Sequence, residues 1–134
     1  MSKKIKTPFA PISWGELIDK LTILEIKELK ISSKIALENV RKELNYLLGI
    51  LNSEPIPEEI QHLKTELMKI NLDLWNVEDQ IRDKEFQGVF DQSFIDLARS
   101  VYRLNDLRAA TKKSINLILQ SELVEEKSYK NFEK

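Results

Sequence analysis

The 134-residue sequence contains no cysteine, which excludes disulfide bonds, thiol chemistry and cysteine-ligated metals. Its three glycines and four prolines are too few for the many turns of a sheet protein. No hydrophobic run is as long as a membrane span, and the N-terminus lacks the apolar stretch of a signal peptide. The 21 basic residues do not exceed the 22 acidic ones, whereas nucleic-acid binders usually carry a basic excess. We therefore expect a cytoplasmic protein without a nucleic-acid or membrane partner.

The composition that is present favours one soluble, helix-rich domain. Hydrophobic residues make up 42% of the chain and charged residues 32%. This length is sufficient for a single core. We expect one domain over residues 1–134, with a flexible N-terminus at 1–10. The charged segment 121–134 is expected to form a short tail helix or a flap over one end of the bundle.

The stretch Ile60–Phe86 predicts one long helix with a core-facing stripe. At about 100° per residue its apolar residues fall on one continuous line. Pro57 can occupy the first turn of this helix, and Gly88 can end it. The stripe consists of Ile60, Leu63, Leu67, Ile70, Leu74, Val77 and Ile81. Asn71, Glu78 and Arg82 lie inside the same stripe, so they require polar partners from elsewhere in the chain.

Three further helices follow from capping signals and periodicity. Ser13 with Glu16 forms a capping box, and a helix is predicted from Trp14 to about Ile31. Its apolar stripe is rotated relative to the stripe of the second predicted helix, so a break is expected near Ser32–Lys34. The alternative is one continuous helix from Trp14 to Asn52. Asp91 is the predicted N-cap of a last helix from Gln92 to about Gln120. The fold class is therefore all-α, an antiparallel bundle of four helices with a long central hairpin of the third and fourth.

Polar side chains on the first, third and fourth helices lie on faces that otherwise read as core. We expect these residues to meet in the interior as a polar cluster. The candidates are Glu25, Glu28, Asn71, Glu78, Arg82, Asn105, Arg108 and Lys112. Asp19 falls opposite the apolar face of its helix and is expected to face solvent. The simpler interpretation of the cluster is an internal ion network, since acids and bases balance. The alternative is a ligand pocket between helices, in which Arg108 and Lys112 hold an anionic small molecule.

Metal sites are poorly supported. Glu16 and Asp19 have the ExxD spacing of helical magnesium sites, but such spacings are common on helix surfaces. The single histidine, His62, has no cysteine to complete a zinc site. We predict neither a metal nor a cofactor.

Five segments of the chain form a recognisable set. They are PISWGELIDKLTILEIK at Pro11–Lys27, NVRKEL at Asn39–Leu44, LWNVEDQIR at Leu74–Arg82, LARSVYRLNDLRA at Leu97–Ala109 and EEKSY at Glu125–Tyr129. Together they resemble a family of small bacterial proteins catalogued as a domain of unknown function. The likeness covers nearly the whole chain and implies a helical bundle, but it implies no activity.

The cluster also resembles the binding site of the all-helical chorismate mutases, which hold a dicarboxylate between helices. Residues of the right kinds are Glu78, Arg82, Arg108 and Lys112. Those enzymes also use an arginine on the first long helix, where this chain offers only Glu25 and Glu28. We expect a non-enzymatic binding or assembly module whose partner is a second copy in a homodimer. The alternative is a small ligand-binding protein or enzyme acting on an anionic metabolite.

Overall fold

A computed structural model describes residues 3–128, and this part of the chain forms four α-helices with no strand. The helices are α1 (Trp14–Lys30), α2 (Lys34–Asn52), α3 (Glu59–Gln87) and α4 (Gln92–Ile118). The predicted all-α bundle is confirmed. Tyr129, the last residue of the EEKSY segment, and the rest of the tail lie outside the described residues.

Local capping sets the helix boundaries much as the sequence predicts. The Ser13 hydroxyl accepts a hydrogen bond from the Glu16 amide, and the Asp91 carboxylate accepts one from the Phe94 amide. The break between α1 and α2 lies at residues 31–33, where Ser33 caps α2 by accepting from Ala36. Gly88 ends α3 in the left-handed conformation, with φ of 69°.

α1 contacts each of the other three helices, and α3 and α4 pack on each other as a hairpin. The core lies where α1 meets the other helices, and Ile18, Leu21, Leu67 and Ile115 are fully buried there. Because α1 has neighbours on several sides, it buries more than one face. Its second buried line consists of Gly15, Asp19, Thr22 and Ile26, which recur at helical spacing.

The hairpin has two halves with different surroundings. Asn71 on α3 and Arg108 on α4 both bind Asp19, so these two residues lie at the same level of the hairpin. The covered half, residues 59–74 with 105–118, lies against α1 and contains every buried residue of α3 and α4. The distal half, residues 75–104, contains no buried residue at all. The hairpin therefore projects beyond the helix that covers it.

Candidate functional site

Asp19 is the centre of a buried polar cluster, and its side chain has no exposed surface. One carboxylate oxygen accepts hydrogen bonds from Asn71 Nδ2 at 2.9 Å and Arg108 Nε at 3.0 Å. The other accepts from Arg108 Nη2 and, at 3.2 Å, from Arg108 Nε. This is a bidentate charge-assisted pair, the strongest kind of side-chain hydrogen bonding. The expectation that Asp19 faces solvent is therefore wrong, because α3 and α4 cover the side of α1 that carries it.

Thr22 completes the contacts between α1 and α3. Its hydroxyl accepts from Asn71 Nδ2 at 2.8 Å and donates to the backbone carbonyl of Asp19 at 2.7 Å. The Asn71 amide therefore bridges two side chains that lie one turn apart on α1. Since buried polar groups need such partners to avoid a desolvation penalty, this arrangement fixes the register between α1 and α3.

Lys112 lies on α4 one turn beyond Arg108, with a side chain only 10% exposed. Its ammonium group is 2.8 Å from a carboxylate oxygen of Glu16 and 2.8 Å from one of Glu125. Asp19 Oδ2 lies 3.7 Å from the same nitrogen. We call these residues, together with Asn71 and Arg108, the polar centre. Three carboxylates thus surround one buried ammonium group.

Three groups of the polar centre have pKa values shifted by their surroundings, those of Lys112, Arg108 and Glu125. Burial alone would lower the pKa of Lys112, but hydrogen bonds to Glu125 and Glu16 raise it above its usual value. The hydrogen bonds to Asp19 likewise raise the pKa of Arg108. Lys112 and Lys127 lower the pKa of Glu125 from 4.5 to about 2. All three shifts favour the charged form of the group concerned.

The start of α1 and the chain after α4 meet beside the polar centre. The Gly15 amide donates to Asn116 Oδ1 at 2.7 Å, and the Trp14 amide donates to the Ser121 hydroxyl at 3.2 Å. Gly15 has a steric role here, because a Cβ at this position would lie 2.5 Å from the Lys112 carbonyl oxygen. Only glycine allows α1 to approach α4 this closely.

A pocket of about 700 Å³ opens beside the polar centre, within the size range of small-molecule sites. The side chains around it come from α1, α4 and the segment after α4. They are Glu16, Tyr102, Asn105, Asp106, Arg108, Ala109, Lys112, Glu125 and Lys127. Within residues 3–128, Asp106 Oδ2 is buried without a hydrogen-bond partner. An unmatched buried acceptor costs roughly 1–3 kcal/mol, and more when charged.

The structure brings together four of the eight candidate residues. Asn71, Arg108 and Lys112 belong to the polar centre, and Asn105 is half-buried beside them at the pocket. Glu25 and Glu28 do not reach the centre. They lie at the edges of α1. Glu25 Oε1 is 2.9 Å from Lys64 Nζ, and Glu28 Oε2 is 3.4 Å from Arg41 Nε.

Glu78 and Arg82 are exposed, so the prediction that they lie inside the core is wrong. At about 100° per residue they fall within about 20° of the line through Asn71 on α3. They share the face that α1 covers, but they lie in the distal half, beyond the reach of α1. The periodicity identified the face, whereas the length of α1 decides how much of it is buried.

Sequence reasoning missed Asp19 as the centre, and it missed Glu16 and Glu125 as partners of Lys112. A signal for Asp19 was present: Gly15, Asp19 and Thr22 form a line of short side chains at helical spacing. Such a line permits close helix approach on a second face of α1. No comparable signal marked Glu125, because it lies in a segment without regular structure.

The arrangement as a whole is a satisfied ion network beside an open pocket. Among residues 3–128 no group of three or more His, Asp or Glu side chains is placed to hold a metal ion. No helix in the same range is long and apolar enough to cross a membrane. A cytoplasmic location stays a prediction.

The profile of DUF6165, described as a family of unknown function, matches residues 9–132. The chain belongs to DUF6165. No curated protein and no solved structure matches this DUF6165 chain. The predicted membership of a family of unknown function is confirmed. The bacterial origin of the chain and its likeness to the chorismate mutases stay predictions.

Proposed function

We propose that this DUF6165 chain is a self-assembly module in which the distal half of the hairpin pairs with the same half of a second copy. The observation that carries the proposal is that residues 75–104 form two long helices without one buried residue. Large apolar side chains nevertheless remain exposed on this part of the hairpin, including Ile95 and Tyr102. A helix pair with an apolar face is ordinarily covered by further helices.

The surface available for pairing is the continuation of the groove that α1 occupies. On α3 this line runs from Asn71 through Glu78 and Arg82. On α4, Asn116 contacts α1. Tyr102 and Ile95 lie within about 60° of Asn116 around the axis of the same helix, so they continue the face that contacts α1. We call the part beyond α1 the open groove, formed by Glu78, Arg82, Ile95, Ala98 and Tyr102. Ile95 is 47% exposed and Tyr102 is 55% exposed.

The charges of the open groove favour a second copy over an unrelated partner. Glu78 and Arg82 lie one turn apart on α3, with Gln80 midway between them. A twofold axis through the level of Gln80 places Glu78 of each copy opposite Arg82 of the other. Such an isologous contact forms two equivalent ion pairs from one patch.

The apolar residues have the same centre of symmetry. Asn71 and Arg108 share a level, and equal helical rise over nine residues places Gln80 opposite Arg99. Ile95 and Tyr102 lie on either side of that level, with the small Ala98 between them. The axis that matches the charges therefore also brings Ile95 of one copy toward Tyr102 of the other.

Charge reversal tests this pairing without disturbing the fold, because Glu78 and Arg82 are exposed. Sedimentation velocity across a concentration series should show a dimer for the natural chain. Glu78→Arg and Arg82→Glu should each weaken it about tenfold or more, since the twofold axis doubles each repulsive contact. The double variant should restore the dimer. Circular dichroism of each variant provides the control for folding.

A matched variant on α2 tests whether another surface forms the dimer instead of the open groove. The outer side of α2 exposes Ile35, Tyr46 and Ile50. Tyr46→Lys should leave the dimer intact if the open groove is the interface. Dissociation by Tyr46→Lys with no effect of the charge reversals would contradict the proposal, as would a natural chain that stays monomeric at every concentration.

The alternative of an enzyme or binder for an anionic metabolite has weaker support. It requires Arg82, Arg108 and Lys112 to offer positive charge to a common pocket. Arg82 is exposed on the distal half, and the other two cations are already paired with carboxylates. The contacts of Arg108 and Lys112 therefore favour a role in holding helices together.

A further inference from the structure

Residues 3–12, which we call the arm, precede α1 without forming a helix, and every one of them is exposed. Ile5 is 90% exposed and Phe9 is 89% exposed, although both side chains are large and apolar. Pro8 and Pro11 favour an extended backbone, which can lie along the surface of another molecule. The arm contains no acid, and its basic residues are Lys3, Lys4 and Lys6. Its composition therefore suits an apolar surface with acidic surroundings.

The tip of the α3–α4 hairpin, residues 83–94, presents such a surface. Three of the five phenylalanines of the chain lie in this tip. Phe86 is 93% exposed and Phe90 is 59% exposed, and the ring of Phe90 packs edge-on against that of Phe94 with their centroids 5.2 Å apart. Residues 79–96, which contain the tip, have five acids and two bases. The arm and the tip are therefore opposite in charge, and both expose large apolar side chains.

Contacts within the tip fix its shape. Gly88 turns the chain in the left-handed conformation, and the Asp91 carboxylate caps the start of α4. Lys84 Nζ lies 3.2 Å from Asp91 Oδ1, so this cation is paired across the turn. A surface that is already ordered loses little conformational entropy when a partner docks on it. The carboxylates of Asp83 and Glu85 are exposed beside it and can attract the lysines of an arm.

The apolar residues of the arm cannot reach the tip of their own chain. The Gly15 amide binds the side chain of Asn116, so the arm begins near the level of Asn116 on α4. Gln92, at the tip end of α4, lies about 36 Å away at the usual rise of an α-helix. Ile5 can extend to at most about 29 Å from Ser13, even with the backbone fully stretched. An arm of this length therefore needs a second chain to meet such a tip.

A second copy brings its tip within reach when the open grooves pair around the twofold axis. The axis at Gln80 places Gly88 of one copy opposite Leu72 of the other. Because Asn71 and Arg108 share a level, Leu72 lies level with Leu107, about 14 Å along α4 from Asn116. Packed helices are about 8–10 Å apart, which puts the second tip roughly 16 Å from the start of the arm. The arm is long enough to span this distance.

We propose that the arm of each copy docks on the hairpin tip of the other, with Ile5 and Phe9 against Phe86 and Phe90. The lysines of the arm then lie beside Asp83 and the other exposed acids of the tip. This contact rests on the proposed pairing through the open groove and adds a second region to the same interface. It covers two exposed apolar regions that pairing of the open grooves alone leaves in water.

Cross-linking of two single-cysteine variants tests the contact directly, because the natural chain has no cysteine. Ala10→Cys mixed with Gln87→Cys and a short bismaleimide should give a heterodimer, identified by mass spectrometry of the joined peptides. Ala10→Cys mixed with Asn45→Cys, on the exposed side of α2, is the matched control and should give none. Equal yields from the two mixtures, or no product from the first, would overturn the proposal.

Sedimentation velocity measures how much the arm contributes to the dimer. Phe9→Ser should weaken the dimer about tenfold or more, because the twofold axis makes the apolar contact occur twice. Leu29→Ser, at an α1 residue that is 80% exposed, should leave the dimer unchanged. Circular dichroism checks that both variants fold. An unchanged dimer in Phe9→Ser would contradict docking of the arm.

The combined results distinguish the arm contact from the open groove. If the charge reversals at Glu78 and Arg82 act as predicted but the arm gives no cross-link, only the arm contact is wrong. Arm–tip cross-links with charge reversals that have no effect would support the arm contact and overturn the open groove. If Phe9→Ser leaves the dimer unchanged and instead abolishes cosedimentation with phosphatidylserine vesicles, the arm binds a membrane and the proposal is wrong.

Discussion

The covered and distal halves of the hairpin have similar sequence patterns and opposite surroundings. In the covered half, Asn71 and Lys112 are buried against α1 and bind its carboxylates. In the distal half, Glu78 and Arg82 continue the line of Asn71 and are exposed. The difference shows that a polar residue within an apolar stripe identifies a contact face, while the neighbouring helix decides whether that face is inside the protein. Each prediction below contrasts a change in one region with a matched change in another.

The largest effect is expected for the buried carboxylate at the centre of the covered half. Asp19→Asn removes the negative charge that Arg108 and Lys112 share, and it should reduce the free energy of unfolding by about 3–5 kcal/mol. Asp79→Asn, on the exposed distal half, should change it by less than about 0.5 kcal/mol. Urea unfolding monitored by circular dichroism measures both. A similar loss of unfolding free energy in the two variants would show that removal of a carboxylate charge affects the covered and distal halves equally.

The matched arginines give the next contrast. Arg108→Met leaves Asp19 buried with its Asn71 bond and the more distant Lys112 ammonium, and should cost about 3 kcal/mol. Arg82→Met should cost less than about 0.5 kcal/mol in the monomer, because Arg82 is exposed. Urea unfolding at low protein concentration isolates these values from assembly. A large cost for Arg82→Met in the monomer would mean that the distal half contributes to the core after all.

Two glycines test the close approach between α1 and α4. Gly15→Ala should destabilise the protein by about 1–3 kcal/mol, because the new methyl group meets the Lys112 carbonyl oxygen. Gly49→Ala places the same methyl group in open space on α2, so it should stabilise the protein by up to about 1 kcal/mol. Thermal unfolding of the two variants gives the signs directly. A neutral Gly15→Ala would indicate that α1 moves away from α4 at little cost.

The smallest effect concerns the contact between Glu125 and Lys112. The folded state lowers the pKa of Glu125 to about 2, so its stabilising contribution is fully present above pH 4.5 and disappears as the pH falls toward 2. The stability difference between the natural chain and Glu125→Gln should therefore shrink across this window. Since the Glu125 side chain is 39% exposed, solvent screening keeps the difference small. Glu122→Gln, on an exposed neighbour, is the control, and a pH-independent difference for Glu125→Gln would contradict the prediction.

The sequence was sufficient for the local structure. Ser13, Gly88 and Asp91 act through short-range backbone hydrogen bonds or a single φ angle, so the residues themselves identify the helix ends. Packing of α3 against α4 follows from their stripes and the four-residue connection at 88–91.

The candidate site could be predicted only in part. Periodicity identified Asn71, Arg108 and Lys112, but it reports faces and gives no information about which helix covers each face. Asp19 was assigned to solvent because a wheel with one dominant apolar face suggests that the opposite face is exposed. α1 instead contacts α2, α3 and α4, and its Gly15–Asp19–Thr22 line packs closely. Glu125, which contacts Lys112, lies after α4 in a segment without helical periodicity, so no pattern in the sequence could identify it.

The separation of the partners along the chain also constrains when the protein can fold during synthesis. Asp19 precedes Arg108 by 89 residues, and Glu16 precedes Lys112 by 96. At ordinary translation rates α1 therefore leaves the ribosome roughly 5–20 s before the two cations that pair with Asp19 and Glu16 exist. A nascent chain interrupted before α4 leaves these two carboxylates without Arg108 and Lys112, so the polar centre forms only when the chain is nearly finished.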